Sequence, residues 1–225
     1  MGAGAVVIAV VVAAGLLITH QHKPAPSDGV VRNLLPGEFR SAPNACTAVS
    51  AATLSQYVPG SPRRVTHSIA TSAQNQCTFT VDVKPVFRVL EVTAQQYLPS
   101  GLASGNGSAT NNASDNFAVE RLGLASPAKK SHIPKALITD VSGLGQTAFS
   151  ALQVIHIVGG DKTVRVTVVV RDRNEVAIIQ LQGLNSAKGS GGGFGPVPVS
   201  QIKAGSLAAA RQVLAAVAAG PTVGS

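Results

Sequence analysis

The sequence predicts an α+β domain, an antiparallel sheet with helices packed on one face, preceded by one N-terminal transmembrane helix. Three observations predict it. Residues 77–83 alternate, with Cys77, Phe79, Val81 and Val83 on one side and Thr78, Thr80 and Asp82 on the other, which is the pattern of a half-buried strand. Residues 151–182 hold three strand-like runs joined by connections too short for a crossover, so they must pair as an antiparallel meander. Helix signals stand apart from these runs, near Ser50 and at the C-terminus, which is the order of an α+β chain.

The N-terminal helix is expected over residues 2–19, which read GAGAVVIAVVVAAGLLIT without a charge. At 1.5 Å rise per residue the run nearly spans a hydrocarbon core of about 30 Å, and it lacks the polar face a surface helix needs. No cysteine follows until Cys46, so the pattern is not that of a lipoprotein. Val6 stands where N-myristoylation wants Ser or Thr. No small-x-small cleavage site follows the run. The expectation is an uncleaved, single-pass anchor in the cell membrane. Residues 20–44, with Pro24, Pro26, Pro36 and Pro43 beside Gly29 and Gly37, are expected to form a Pro-rich, semi-extended tether. His20 and His22 are too few to hold a metal there. Residues 45–220 are then the extracytoplasmic globular domain.

Aromatic residues make up only 4% of the chain and Trp is absent, so the core must be built from Val, Ile, Leu and Ala. Charged residues, at 12%, are about half the usual share. The net charge of +8 comes from cations scattered singly or in pairs such as Arg63-Arg64 and Lys129-Lys130. With no basic stripe and no interleaved aromatics, nucleic acid is not expected as a partner. The charge serves solubility, or suits anionic lipid or wall polymers. The expected partners are the membrane, through the N-terminal helix, and another envelope protein or an anionic wall or lipid component.

Cys46 and Cys77 are the only cysteines, and their spacing is not that of a C-x-x-C motif. In an exported chain two cysteines pair by default, closing a loop worth about 3 kcal/mol on the chain-entropy model. Two buried thiols would be the reading for a reducing compartment.

In chain order, Ser50 reads as the N-cap of a short helix carrying Leu54, Tyr57 and Val58, stopped by Pro59-Gly60. After the strand over 77–83, Pro85 marks a turn and 87–93 resumes extended structure. Residues 100–116, rich in Gly, Ser and Asn, read as a loop, and 115–124 as a helix. The meander follows: 151–158, a turn at Gly159-Gly160-Asp161-Lys162, then 163–170, a turn at 171–174, and 175–182. A Gly/Pro loop spans 186–200. A closing helix over 206–219 has Ser206 as N-cap, a stripe of Leu207, Ala210, Leu214 and Val217, and Gly220-Pro221 as its stop.

No motif supplies a catalytic residue, a cofactor site or a metal site. Gly143-x-Gly145-x-x-Ala148 is followed by strand-like sequence, so it reads as a tight turn and not a dinucleotide loop. Residues 189–195 (GSGGGFG) lack the Lys-Ser/Thr of a P-loop and read as a flexible loop or ligand lid. There is no Gly-x-Ser-x-Gly elbow. His156 sits mid-strand, as a core or edge histidine. Glu91, Asp115, Glu120, Asp140, Asp161, Asp172 and Glu175 show no pairing diagnostic of a glycosidase or metal site. Arg165, Arg171 and Arg173 gather around one hairpin as a possible anion-binding group; the alternative is solvated edge charge that blocks sheet association.

Pro43-x-x-Cys46, Thr47-Ala48-Val49-Ser50, Tyr57-x-Pro59-Gly60 and Cys77-Thr78-Phe79 together resemble an exported actinobacterial family of unknown function, whose members are mostly lipoproteins. Gly143-Leu144-Gly145-Gln146-Thr147-Ala148-Phe149 and Arg173-Asn174-Glu175-Val176 resemble its second half. The resemblance covers residues 43–219. It implies a disulfide between Cys46 and Cys77 and a fold similar to sensor-like domains outside membrane kinases. It carries no chemistry, and Gln146 stands where the family pattern has an acid. The functional expectation is a ligand- or protein-binding or sensing module at the cell envelope. The alternative is an envelope hydrolase with a non-standard site, pairing a serine or His67 with an acid.

Overall fold

The computed structural model describes residues 33–60, 64–71, 73–83, 86–99, 107–126, 136–156, 162–186 and 194–224. The expected anchor over 2–19, residues 159–161 of the expected turn and residues 187–193 of the 186–200 loop lie outside the described residues. Among the described residues no helix is long and apolar enough to cross a membrane.

The fold is α+β. Its strands are β1 (Arg64–Ala70), β2 (Gln74–Val83), β3 (Val86–Gln96), β4 (Leu137–Asp140), β5 (Thr147–His156), β6 (Lys162–Asp172), β7 (Glu175–Ser186) and β8 (Phe194–Pro196). Seven of them form one sheet in the order β1-β2-β3-β7-β6-β5-β4, and β8 pairs with the end of β7. Every pairing is antiparallel. The expected meander is β5, β6 and β7, and the alternating run around Cys77 is β2. Edge strands β1 and β4 carry no clean alternation, and nothing in the sequence singled them out.

The helices are α1 (Ala45–Ala48), α2 (Ala51–Tyr57), α3 (Ala109–Ala125) and α4 (Val199–Ala218). They cover both faces of the sheet, not one as expected. α1, α2 and α4 pack with Phe79, Val81, Leu90, Val92, Val166, Val168, Ile179 and Leu181. α3 packs on the other side, where Ala113 and Phe117 meet Phe149, Ala151, Val169 and Val176. The central strands show why two layers are needed. Val166, Thr167, Val168, Val169 and Val170 of β6 are all buried, so successive side chains on opposite faces are covered.

Two helix starts differ from expectation. α4 begins at Val199, and Ser206 lies inside it, its hydroxyl donating back to Ile202 O at 3.0 Å and to Val166 O at 3.2 Å. The back-bond to Ile202 satisfies the hydroxyl inside the helix, so the serine is tolerated there instead of serving as a cap. α3 begins at Ala109, within the stretch expected as loop. Ser108 Oγ accepts from Asn111 N at 3.1 Å. Glu38 Oε1 accepts from Thr110 N at 2.9 Å, placing a carboxylate at the positive end of the helix. Ser50 caps α2 as expected, accepting from Thr53 N at 3.2 Å.

Residues 33–44, within the stretch expected as tether, lie along the folded domain. Phe39 and Glu38 are buried, and Phe39 bridges Thr222. This strap is held by buried amides. Asn174 bonds both backbone groups of Phe39, and Gln96 Nε2 donates to Phe39 O at 2.5 Å. Cys46 and Cys77 form a disulfide with Cα atoms 5.1 Å apart, tying α1 to β2.

Candidate ligand-binding face

The α3 side of the sheet is apolar under α3 and again in the buried cluster of Phe87, Val89 and Leu184. Beyond Phe149, Val169 and Ile178 the same face turns polar across five strands. Registers define two rows. One runs Gln153, Arg165, Gln182, Val89, Thr80 across β5, β6, β7, β3 and β2. The next runs Ala151, Thr167, Gln180, Glu91, Thr78. Of the ten positions, only Val89 and Ala151 lack a polar side chain. Gln153, Thr167 and Gln182 are buried, while Thr78, Thr80, Glu91, Arg165 and Gln180 are half-buried. A sheet face at this depth is ordinarily filled by Val, Ile or aromatic residues.

Hydrogen bonds organise the face. Arg165 Nε donates to Gln182 Oε1 at 2.8 Å, and Gln76 Nε2 donates to Glu91 Oε1 at 2.6 Å. Burial lowers the Arg165 guanidinium from its ordinary value, and the charge of Glu91 partly opposes this. Glu91 thus acts on Arg165 through space. They do not form a contact pair: among the described residues the only ion pair within 4.0 Å is Arg121–Asp140. Beneath them, Thr167 Oγ is buried and has no hydrogen-bond partner.

The three arginines expected as one anion group do not converge. Arg165 lies six residues along β6 from Arg171, roughly 20 Å away at strand spacing. Arg171 donates to Gln146 Oε1 at 2.9 Å and sits at the far end of the strand. Arg173, in the turn after β6, lies 5.0 Å over the ring of Phe39 and donates to Gly37 O, so it holds the strap. Gln146 accepts from both Arg171 and the Arg173 amide and closes that turn. Hairpin proximity in sequence was misleading because strand length separates the ends. Glu91, Gln180, Gln182 and Thr167 were missed as a group. Their parity was legible in each strand, but only the register aligns them.

His67 on β1 and His156 at the end of β5 are five places apart in the sheet order. The described residues contain no group of three His, Cys, Asp or Glu side chains placed to hold a metal.

At the β6–β7 turn a buried carboxyl stands apart from the face. Glu175 is 2% exposed, and neither carboxyl oxygen has a hydrogen-bond partner. Burial, then the charge of Asp172, pushes its carboxyl up to about 8. It is therefore mostly protonated at neutral pH.

Comparison with protein-family models, curated proteins and solved structures found no match to this chain. Of the resemblance drawn from the motifs, the Cys46–Cys77 disulfide is the part borne out.

Proposed function

We propose that this chain is a binding module of the cell envelope, anchored in the membrane by residues 2–19 and presenting the polar α3 face of its sheet, outside the membrane, to a small polar ligand. The polar face carries this reading. Val or Ile at these positions would stabilise the fold more than Thr, Gln, Arg and Glu do. A buried hydroxyl without a partner costs about 1–3 kcal/mol. Positions that cost stability across several adjoining strands are the mark of a site kept for binding. The disulfide supports an oxidising compartment, as an exported domain requires.

The test has two arms. External protease applied to intact cells should digest the domain, and full protection would sink the exported topology. Of three small polar probes (acetate, glycine and glycerol) titrated into the isotope-labelled full chain in detergent, at least one should shift backbone amides along β3, β6 and β7. Shifts confined to other elements would remove this face as the binding site.

A further inference from the structure

We propose that the α3 face binds a small zwitterion, an amino acid or short peptide with a free carboxylate and a free ammonium, held between Arg165 and Glu91. This rests on the reading of the chain as a binding module and names the ligand class of the same face.

The geometry is that of an ion pair left open. Arg165 on β6 and Glu91 on β3 flank β7 from either side, two strand intervals apart and one row out of step. Strand spacing puts their Cα atoms roughly 12 Å apart. Their side chains approach closely enough to interact electrostatically, yet stay beyond 4.0 Å. The floor between them is Gln180 and Gln182, with the unpartnered Thr167 hydroxyl on the same face.

Each charge keeps bonding capacity. Arg165 is held by its Nε on Gln182, which orients the guanidinium and leaves its terminal nitrogens for a bidentate carboxylate. Glu91 is held through Oε1 by Gln76, and its carboxylate remains a partner for an ammonium group.

Charge balance selects among ligands. A lone anion on Arg165 meets the repulsion of Glu91. A lone cation on Glu91 meets that of Arg165. A neutral polyol leaves two partly desolvated charges uncompensated. A ligand carrying both signs a few ångströms apart satisfies both and leaves no net charge behind. Neither row holds an aromatic side chain on which a base or a sugar ring could stack, and Phe87 in the next row is buried against Val89 and Leu184.

The experiment is a titration of the isotope-labelled full chain in detergent with free L-amino acids and L-alanyl-L-alanine. N-acetyl-alanyl-alanine, lacking the ammonium, and alanyl-alaninamide, lacking the carboxylate, serve as controls. A zwitterion should shift amides of β3, β6 and β7, and blocking either terminus should weaken it about tenfold or more. Arg165→Gln and Glu91→Gln should each weaken binding similarly, with the α4 resonances unmoved. If Arg165→Gln does not fold, the blocked peptides on the native chain decide the matter. Equal binding of blocked and free forms, or shifts from acetate or glycerol alone, would overturn the zwitterion while leaving the face as a binding site. No shift on this face from any probe would overturn both.

Discussion

Asn174 and Phe39 are joined by two hydrogen bonds across 135 residues of sequence. Phe39 N donates to Asn174 Oδ1 at 2.8 Å, and Asn174 Nδ2 donates to Phe39 O at 3.0 Å. The side-chain amide thus serves the strap as a strand partner would, using both halves of one buried group. Asn174 Nδ2 also donates to Tyr97 O at 3.2 Å, so one side chain gathers the strap, the end of β3 and the β6–β7 turn.

Replacing Asn174 by Ala removes these bonds and leaves buried backbone groups of Phe39 partly unpaired. The expected loss is about 2–4 kcal/mol. Denaturant titration should register it, and amide exchange at Phe39 and Arg40 should accelerate more than in α4. A midpoint unchanged from the native chain would mean the strap contributes nothing to the fold.

Glu175 gives the fold a pH dependence with a definite sign. Its carboxyl is raised from its ordinary 4.5 to about 8. The folded state therefore holds a proton that the unfolded chain gives up between those values. The stability is fully present below about 4.5 and is lost as pH rises through about 8, a change on the order of 5 kcal/mol. Glu175→Gln stays neutral throughout. It should be less pH-dependent across this window and more stable than the native chain at pH 9. Urea midpoints at pH 5 and pH 9 measure both, and parallel profiles would sink the assignment.

These two sites also show what the sequence could and could not express. The helix cap at Ser50, the alternation of β2 and the meander of β5 to β7 depend on neighbours within a few residues, and they were legible. The α3 layer was not. Only Ala109, Ala113 and Phe117 of α3 are buried, at every fourth position, so its apolar stripe is one residue wide. The strap was hidden for the opposite reason. Its Pro and Gly residues do forbid regular structure, but Asn174 and Gln96 from elsewhere, and Glu38 from within, supply the bonds that hold it. The polar face needed five strands in register before Arg165 and Glu91 could be placed near one another.

Gly205 sets the distance between α4 and the rest of the α4-side core. A Cβ there would come within 2.5 Å of Leu181 Cδ2 and 2.8 Å of Tyr57 ring carbons. Gly205→Ala gains up to about 1 kcal/mol of helix propensity and loses about 1–3 kcal/mol to overpacking. Packing should win, for a net loss of about 1–2 kcal/mol in the denaturant midpoint. A stabilised variant would mean that Leu181 and Tyr57 move aside freely.

Thr167 separates structural need from function most directly. Its hydroxyl is buried on the α3 face without a partner, and the residue stands between Ala151 and Gln180 in the row. Val has nearly the same shape and no hydroxyl to desolvate. Thr167→Val should therefore raise stability by about 1 kcal/mol, against the usual direction of core substitutions. The same variant should bind the probes of the α3 face more weakly if the hydroxyl faces a ligand. Thermal unfolding and probe titration on one sample decide between the two accounts. Stability up and binding down is the signature of a residue retained for its ligand. Stability down would mean the hydroxyl already has a partner in the folded chain, and the case for a ligand between Arg165 and Glu91 would weaken with it.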